Sequence, residues 1–204
     1  MEMLLEVCVG NYLEAVAAFK NGGNRIELCD NLQEGGTTPS YGTIKKAIES
    51  IDIPVNVIIR PRGGDFNYSD EEFEIMKEDI EICKKLKVNG IVFGVLNEDN
   101  TIDIHRNKIL KECAGYLQTT FHMAFDEIED KKAAIDILID LGIDRILTRG
   151  GEIGAPNNVE TLKELIEYAG DRIIVMPGGG INSNNREEIE KLTGAKELHG
   201  TKIV

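Results

Sequence analysis

A short spacing occurs twice near the start of the chain: Glu6-Val7-Cys8 and Glu27-Leu28-Cys29. Both lie in apolar runs of strand type, where alternation puts glutamate and cysteine on one face and the aliphatic residues on the other. If the two strands are neighbours, Cys8 and Cys29 stand about 5 Å apart, a range at which two soft thiolates could take Cu(I). Without a metal, the same two residues pack as small hydrophobes, as most free cysteines do. The glutamates raise a separate question, because carboxylates turned into a protein interior are costly unless paired. Arg60 and His122, at the ends of later strands, are the partners that strand order suggests. Read as chemistry, Glu6 or Glu27 works with His122 as acid and base. Read as structure, the same groups form a satisfied ion network. Both readings stay open at this level.

A second constellation suits an anion. Val55–Ile59 is a β-branched run leading into Arg60-Pro61-Arg62-Gly63-Gly64-Asp65-Phe66. Two arginines at the carboxyl end of a buried strand, on a loop stiffened by prolines, can hold a phosphate or carboxylate. Gly178-Gly179-Gly180 follows another strand directly and precedes a helix, so it can present backbone amides to the same kind of ligand. Gly150-Gly151 would line the same rim. Cys83 and Cys113 fall on helical patterns and read as core, and His105 reads as solvated.

These residues need a scaffold that brings strand ends together. Strand runs are expected at Leu4–Val9, Arg25–Cys29, Val55–Ile59, Gly90–Gly94, Leu117–His122, Arg145–Thr148, Ile173–Met176 and Lys196–His199. Helical periodicity separates each from the next, with Phe73, Met76, Ile80 and Cys83 forming the clearest stripe. Ser69-Asp70-Glu71-Glu72 opens that helix as a capping sequence. Alternation of this kind over 204 residues predicts one α/β domain, residues 1–204, folded as a (β/α)8 TIM-type barrel. Five residues follow His199, too few for a full eighth helix, so a homo-oligomer is expected to cover the bare exterior.

Composition narrows the classes. The net charge of −13 argues against nucleic acid and anionic membranes as partners, while leaving room for a small local basic pocket. No apolar run approaches a membrane span, and the acidic start, Met-Glu-Met-Leu-Leu-Glu, lacks the basic region of a signal peptide. Four scattered cysteines form no disulfide framework, which points to the reducing cytoplasm.

The motifs also carry a resemblance. Ile59-Arg60-Pro61-Arg62-Gly63-Gly64-Asp65-Phe66, with Tyr68-Ser69-Asp70, resembles the signature of the CutC copper-homeostasis family. So do Arg25–Cys29, Gly35–Ser40, Phe121-His122 with Ala124–Asp126, and Met176–Gly180, in order along nearly the whole chain. The resemblance implies a cytosolic TIM barrel associated with copper handling, and strengthens copper as the metal for Cys8 and Cys29. It brings no settled reaction with it. The alternative from the residues is a lyase or isomerase acting on a small phosphorylated or carboxylated metabolite held by the arginines and the glycine loop. Against the family pattern, Met123 stands where arginine is common and Arg149 where serine is common, which would move one positive charge around the rim.

Overall fold

The structure is a computed structural model and describes residues 3–204. Eight parallel strands are described: β1 (Leu4–Val9), β2 (Arg25–Leu28), β3 (Val55–Ile58), β4 (Gly90–Phe93), β5 (Gln118–Phe121), β6 (Arg145–Thr148), β7 (Ile174–Pro177) and β8 (Glu197–Gly200). They form one sheet in the order β7-β6-β5-β4-β3-β2-β1-β8. The first strand thus lies between the second and the last, and a parallel bridge between Asn182 and Lys202 ties the loop after β7 to the chain after β8. The result is the nearly closed (β/α)8 barrel that the alternation predicts.

Seven α-helices among the described residues sheathe it: α1 (Tyr12–Lys20), α2 (Tyr41–Ser50), α3 (Asp70–Leu86), α4 (Ile104–Ala114), α5 (Lys131–Asp140), α6 (Val159–Ala169) and α7 (Arg186–Thr193). Local sequence explains their starts. The side chains of Asn11, Ser40, Ser69, Asp103 and Asp130 each accept a hydrogen bond from a backbone amide in the first turn, satisfying donors that the helix cannot. At α3 the cap is reciprocal: Glu72 reaches back to the Ser69 amide at 2.8 Å. The predicted stripe of Phe73, Met76, Ile80 and Cys83 is its buried face. Replacing Ser69 by alanine should lower stability by about 1 kcal/mol, measurable as a shift of the urea midpoint at unchanged slope.

Alternation on each strand divides the core. Ile26, Leu28, Val57, Ile91, Phe93, Phe121 and Ile146 belong to the continuous apolar layer shared with the helices. The opposite face carries Glu6, Cys8, Arg25, Glu27, Asn56, Arg145, Glu197 and His199, all buried. Glycine makes room where interior groups are bulky: a Cβ on Gly94 would stand 2.8 Å from the His122 ring. No eighth helix follows β8. The chain end does more than its length suggests, because Ile203 is fully buried and its carbonyl accepts from Arg186 at 2.6 Å. Leu198, on the outer face of β8, is also fully buried.

Candidate functional site

Register brings the two Glu-x-Cys units together. β1 pairs with β2 so that Cys8 stands opposite Glu27, and with β8 so that Glu6 stands opposite His199. The sulfurs of Cys8 and Cys29 are 3.9 Å apart. Cys29 Sγ lies 3.6 Å from Glu27 Oε2, and one donor atom from each of Cys8, Glu27 and Cys29 fits within 4.8 Å of the others. All four cysteines are free. Cys8 lines a cavity at the barrel mouth, whereas Cys29 lies beneath the loop at Gly36, whose Cβ position is 3.4 Å from its sulfur.

Arg60 holds that loop in place. Its guanidinium donates to the carbonyls of Glu34 at 2.7 Å, Gly36 at 2.9 Å and Gly64 at 2.6 Å. Its carbon also lies 5.1 Å from the Phe66 ring centroid. Arg60 is therefore a positioning residue for the cover over Cys29 and not the partner of the buried glutamates. Loop carbonyls reach it first.

The glutamates' partners come from other strands. Glu6 accepts from Arg25 Nε at 2.5 Å and from Asn56 Nδ2 at 3.2 Å, and it contacts His199 Nδ1 at 2.8 Å. Arg25 also bridges to Glu197, which Arg145 holds through two contacts of 2.6 and 3.2 Å. Burial would raise the Glu6 carboxyl, but Arg25 and His199 outweigh it and hold Glu6 down at about 2. Burial would likewise lower the His199 imidazole; Glu27, then contacts with Cys8 and Glu6, keep it well above its ordinary value instead. His199 thus brings positive charge within 3.6 Å of Glu27. Burial, then the neighbouring Cys8 sulfur, raise Glu27 well above the usual carboxylate range. Within the cysteine pair the proton stays on Cys29, whose hydrogen bond to Cys8 draws the Cys8 thiol down.

His122 stands apart from this network. It lies after β5, with its ring 4.8 Å from Phe66, and its Nδ1 accepts from the Ala124 amide at 3.2 Å. Burial, and then the charge of Arg60, push it down to about 3, so it is neutral at physiological pH. The imidazole beside Glu6 and Glu27 is His199 and not the expected His122. Strand ends alone do not reveal this, since β8 lies next to β1 only because the barrel closes.

The anion candidates also divide. Gly179 and Gly180 line the mouth cavity. Gly178 packs tightly behind them: a Cβ there would stand 2.6 Å from Leu147 and 3.2 Å from His199. Arg62 does not line the cavity. It pairs with Glu72 at 2.6 Å and Asp65 at 3.0 Å and is half-exposed. Gly150 and Gly151 face Leu162 and Asn158 at the start of α6 and do not line the mouth either. Arg149, the charge expected to move around the rim, lines the mouth, and so does Lys202, which the sequence reading does not point to. Met123 and Arg149 both lie within 3.6 Å of the Gly179 Cβ position, so these two side chains meet at one turn. Arg25, Arg145 and Asn56 also escaped that reading, although Arg25 shares the strand parity of Glu27.

The model of the CutC family matches residues 3–204. The chain belongs to the CutC family. Among relatives, the human copper homeostasis protein cutC homolog is 48% identical over 196 residues, covering 96% of this chain and 72% of the human one. A CutC family protein of Enterococcus faecalis is 47% identical over 209 residues, covering 99% of this chain and all of the relative. The crystal structure of CutC from Streptococcus agalactiae superposes with a TM-score of 0.95 at 42% identity over the full length of both chains. An aldolase, at 13% identity and a TM-score of 0.72, shares the barrel fold alone. In this CutC chain no helix among the described residues is long and apolar enough to cross a membrane.

Proposed function

We propose that this chain takes part in copper homeostasis and binds Cu(I) through Cys8 and Cys29. The observation that carries the reading is the 3.9 Å sulfur–sulfur distance on adjacent strands. Metal–sulfur bonds of about 2.3 Å would subtend an angle of about 115° across that gap, which suits a three-coordinate ion with Glu27 as the third donor. Opening the pair by about 0.7 Å would allow linear coordination by sulfur alone. Soft thiolates favour Cu(I) over the hard divalent ions, and the human relative's name points to copper homeostasis. Binding through free thiols suits a reducing cytoplasm. Titration of the reduced protein against a Cu(I) chelator should give one tightly bound copper per chain. A stoichiometry near zero, or affinity no better than that of a surface thiol, would refute the assignment.

A second reading, an enzyme for a small phosphorylated or carboxylated metabolite, is supported by the size of the mouth. Its cavity of about 560 Å³ exceeds the space a single metal ion needs.

We also propose self-association. Leu13 on α1 and Leu192 on α7 are 75% and 46% exposed, and these two helices flank the position an eighth would occupy. Sedimentation at micromolar concentration should show a homo-oligomer, and a monomer across that range would end the proposal.

A further inference from the structure

Of the candidate copper ligands, Cys8 and Glu27 line the mouth cavity. The turn after β7, which lines the same cavity, has a backbone suited to an anion. Gly179 and Gly180 take φ values of 82° and 83°, a region that glycine enters without strain. The amide of Gly178 donates to the Thr148 carbonyl and that of Asn182 to the Asn185 side chain. Between them, the amides of Gly179, Gly180 and Ile181 donate no hydrogen bond among the described residues. Successive unpaired amides of this kind form an anion-binding concavity.

Side chains on the same cavity add to it. Arg149 contacts Asp126 at 3.3 Å and Glu127 at 3.5 Å with its side chain still 35% exposed, and its Cβ is 3.3 Å from the Gly179 Cβ position. Lys202 lines the mouth and is exposed. Arg60, Arg149 and Lys202 line this cavity with one acidic side chain, Glu27, while Asp126 and Glu127 pair with Arg149 from outside the lining.

A second, independent feature is His122, another lining residue, only 4% exposed. Because its Nδ1 accepts from the Ala124 amide, the ring proton sits on Nε2, and that atom has no partner. Buried donors are rarely left unpaired. An acceptor supplied by a ligand would complete it.

We propose that the cavity binds a small metabolite whose phosphate or carboxylate rests on the Gly179–Ile181 amides between Arg149 and Lys202, with another of its oxygens accepting from His122 Nε2. Phe66, Met123 and Leu147 supply apolar walls for its body. The site stands independently of the copper reading.

Amide NMR on the full-length reduced protein tests it, with inorganic phosphate in one series and acetate in another. Saturable shifts at Gly179, Gly180 and Ile181 in at least one series, at millimolar concentration or below, are expected. The series that saturates more tightly assigns the head group. Lys202→Gln, at an exposed position, should weaken binding several-fold, and its combination with Arg149→Gln at least tenfold. Arg172→Gln, on a pair outside the cavity, should leave binding unchanged. The Cys8→Ser/Cys29→Ser protein should keep its anion affinity, which separates this site from the copper site. The inference is overturned if neither anion saturates these amides, or if binding persists undiminished in the Lys202→Gln and doubly substituted proteins.

Discussion

Serine at either Cys8 or Cys29 is expected to weaken Cu(I) binding by more than about a hundredfold. Changes to groups that merely orient ligands already cost metal sites about 10–100-fold, and here a direct ligand is lost. Serine offers a hard, protonated oxygen in place of a soft thiolate. The effect should be similar for the two variants, because neither sulfur has a substitute among the described residues. Cys83 is buried on α3 and pushed up to about 12 by burial and then by Asp79, so Cys83→Ser should leave the affinity unchanged. Glu27→Gln separates three-coordinate from linear binding: a carboxylate ligand predicts a loss of about tenfold or more, and sulfur-only coordination predicts little change. Access is not the obstacle that a sealed barrel would present. Cys8 lines the open mouth, and Cys29 is reached by moving the Gly36 loop that Arg60 pins. Chelator competition across the four variants decides the matter; undiminished affinity in both serine proteins at positions 8 and 29 would remove copper from these strands.

The barrel was largely legible because its signals are local. Most strands are short apolar runs, five of the seven helix starts carry a side-chain cap, and Arg145–Thr148 forms a strand with the predicted limits. The inward direction of Glu6, Cys8, Glu27 and Cys29 followed from parity alone. The same parity turns Arg25 inward, but a residue that begins a strand stands away from the carboxyl rim where spacing points to chemistry. Arg60 and His122 line the mouth as expected but meet other partners than the glutamates, for another reason. Both leave their strands at the carboxyl end, and loop conformation then decides what they meet. Three carbonyls take the Arg60 guanidinium, while Gly94 and Phe66 enclose the His122 ring. Such outcomes depend on contacts between residues far apart in sequence, which spacing does not encode. The missing eighth helix was correctly read, yet the burial of Ile203 by so short a tail was not, because it needs the Asn182–Lys202 bridge.

Arg25→Met should be the most destabilising single change in the barrel interior, at about 3–5 kcal/mol. Arg25 is 3% exposed and, among the described residues, is the one cation that touches both Glu6 and Glu197. Its loss leaves two buried carboxylates with His199 and Arg145 as their remaining charged partners, and repulsion between them is no longer bridged. Methionine fills similar volume, so the cost measures charge and not a cavity. Adding Glu6→Gln to Arg25→Met should restore part of the stability, because it removes the charge left uncompensated; full additivity of the two losses would contradict the network. Acid acts on the same groups. Glu6 is held at about 2, below an ordinary value of 4.5, so its ionised form binds Arg25 and His199 better in the folded state than in the unfolded one. That stabilisation is fully present above about pH 5 and fades as pH falls from there toward 2, where the native carboxylate at last protonates. Glu197 is also held below its ordinary value and adds to the same slope. Urea unfolding between pH 7 and pH 3 should therefore show a steep loss of stability in the wild-type protein and a shallower one in Arg25→Met, in which much of the folded-state depression is gone.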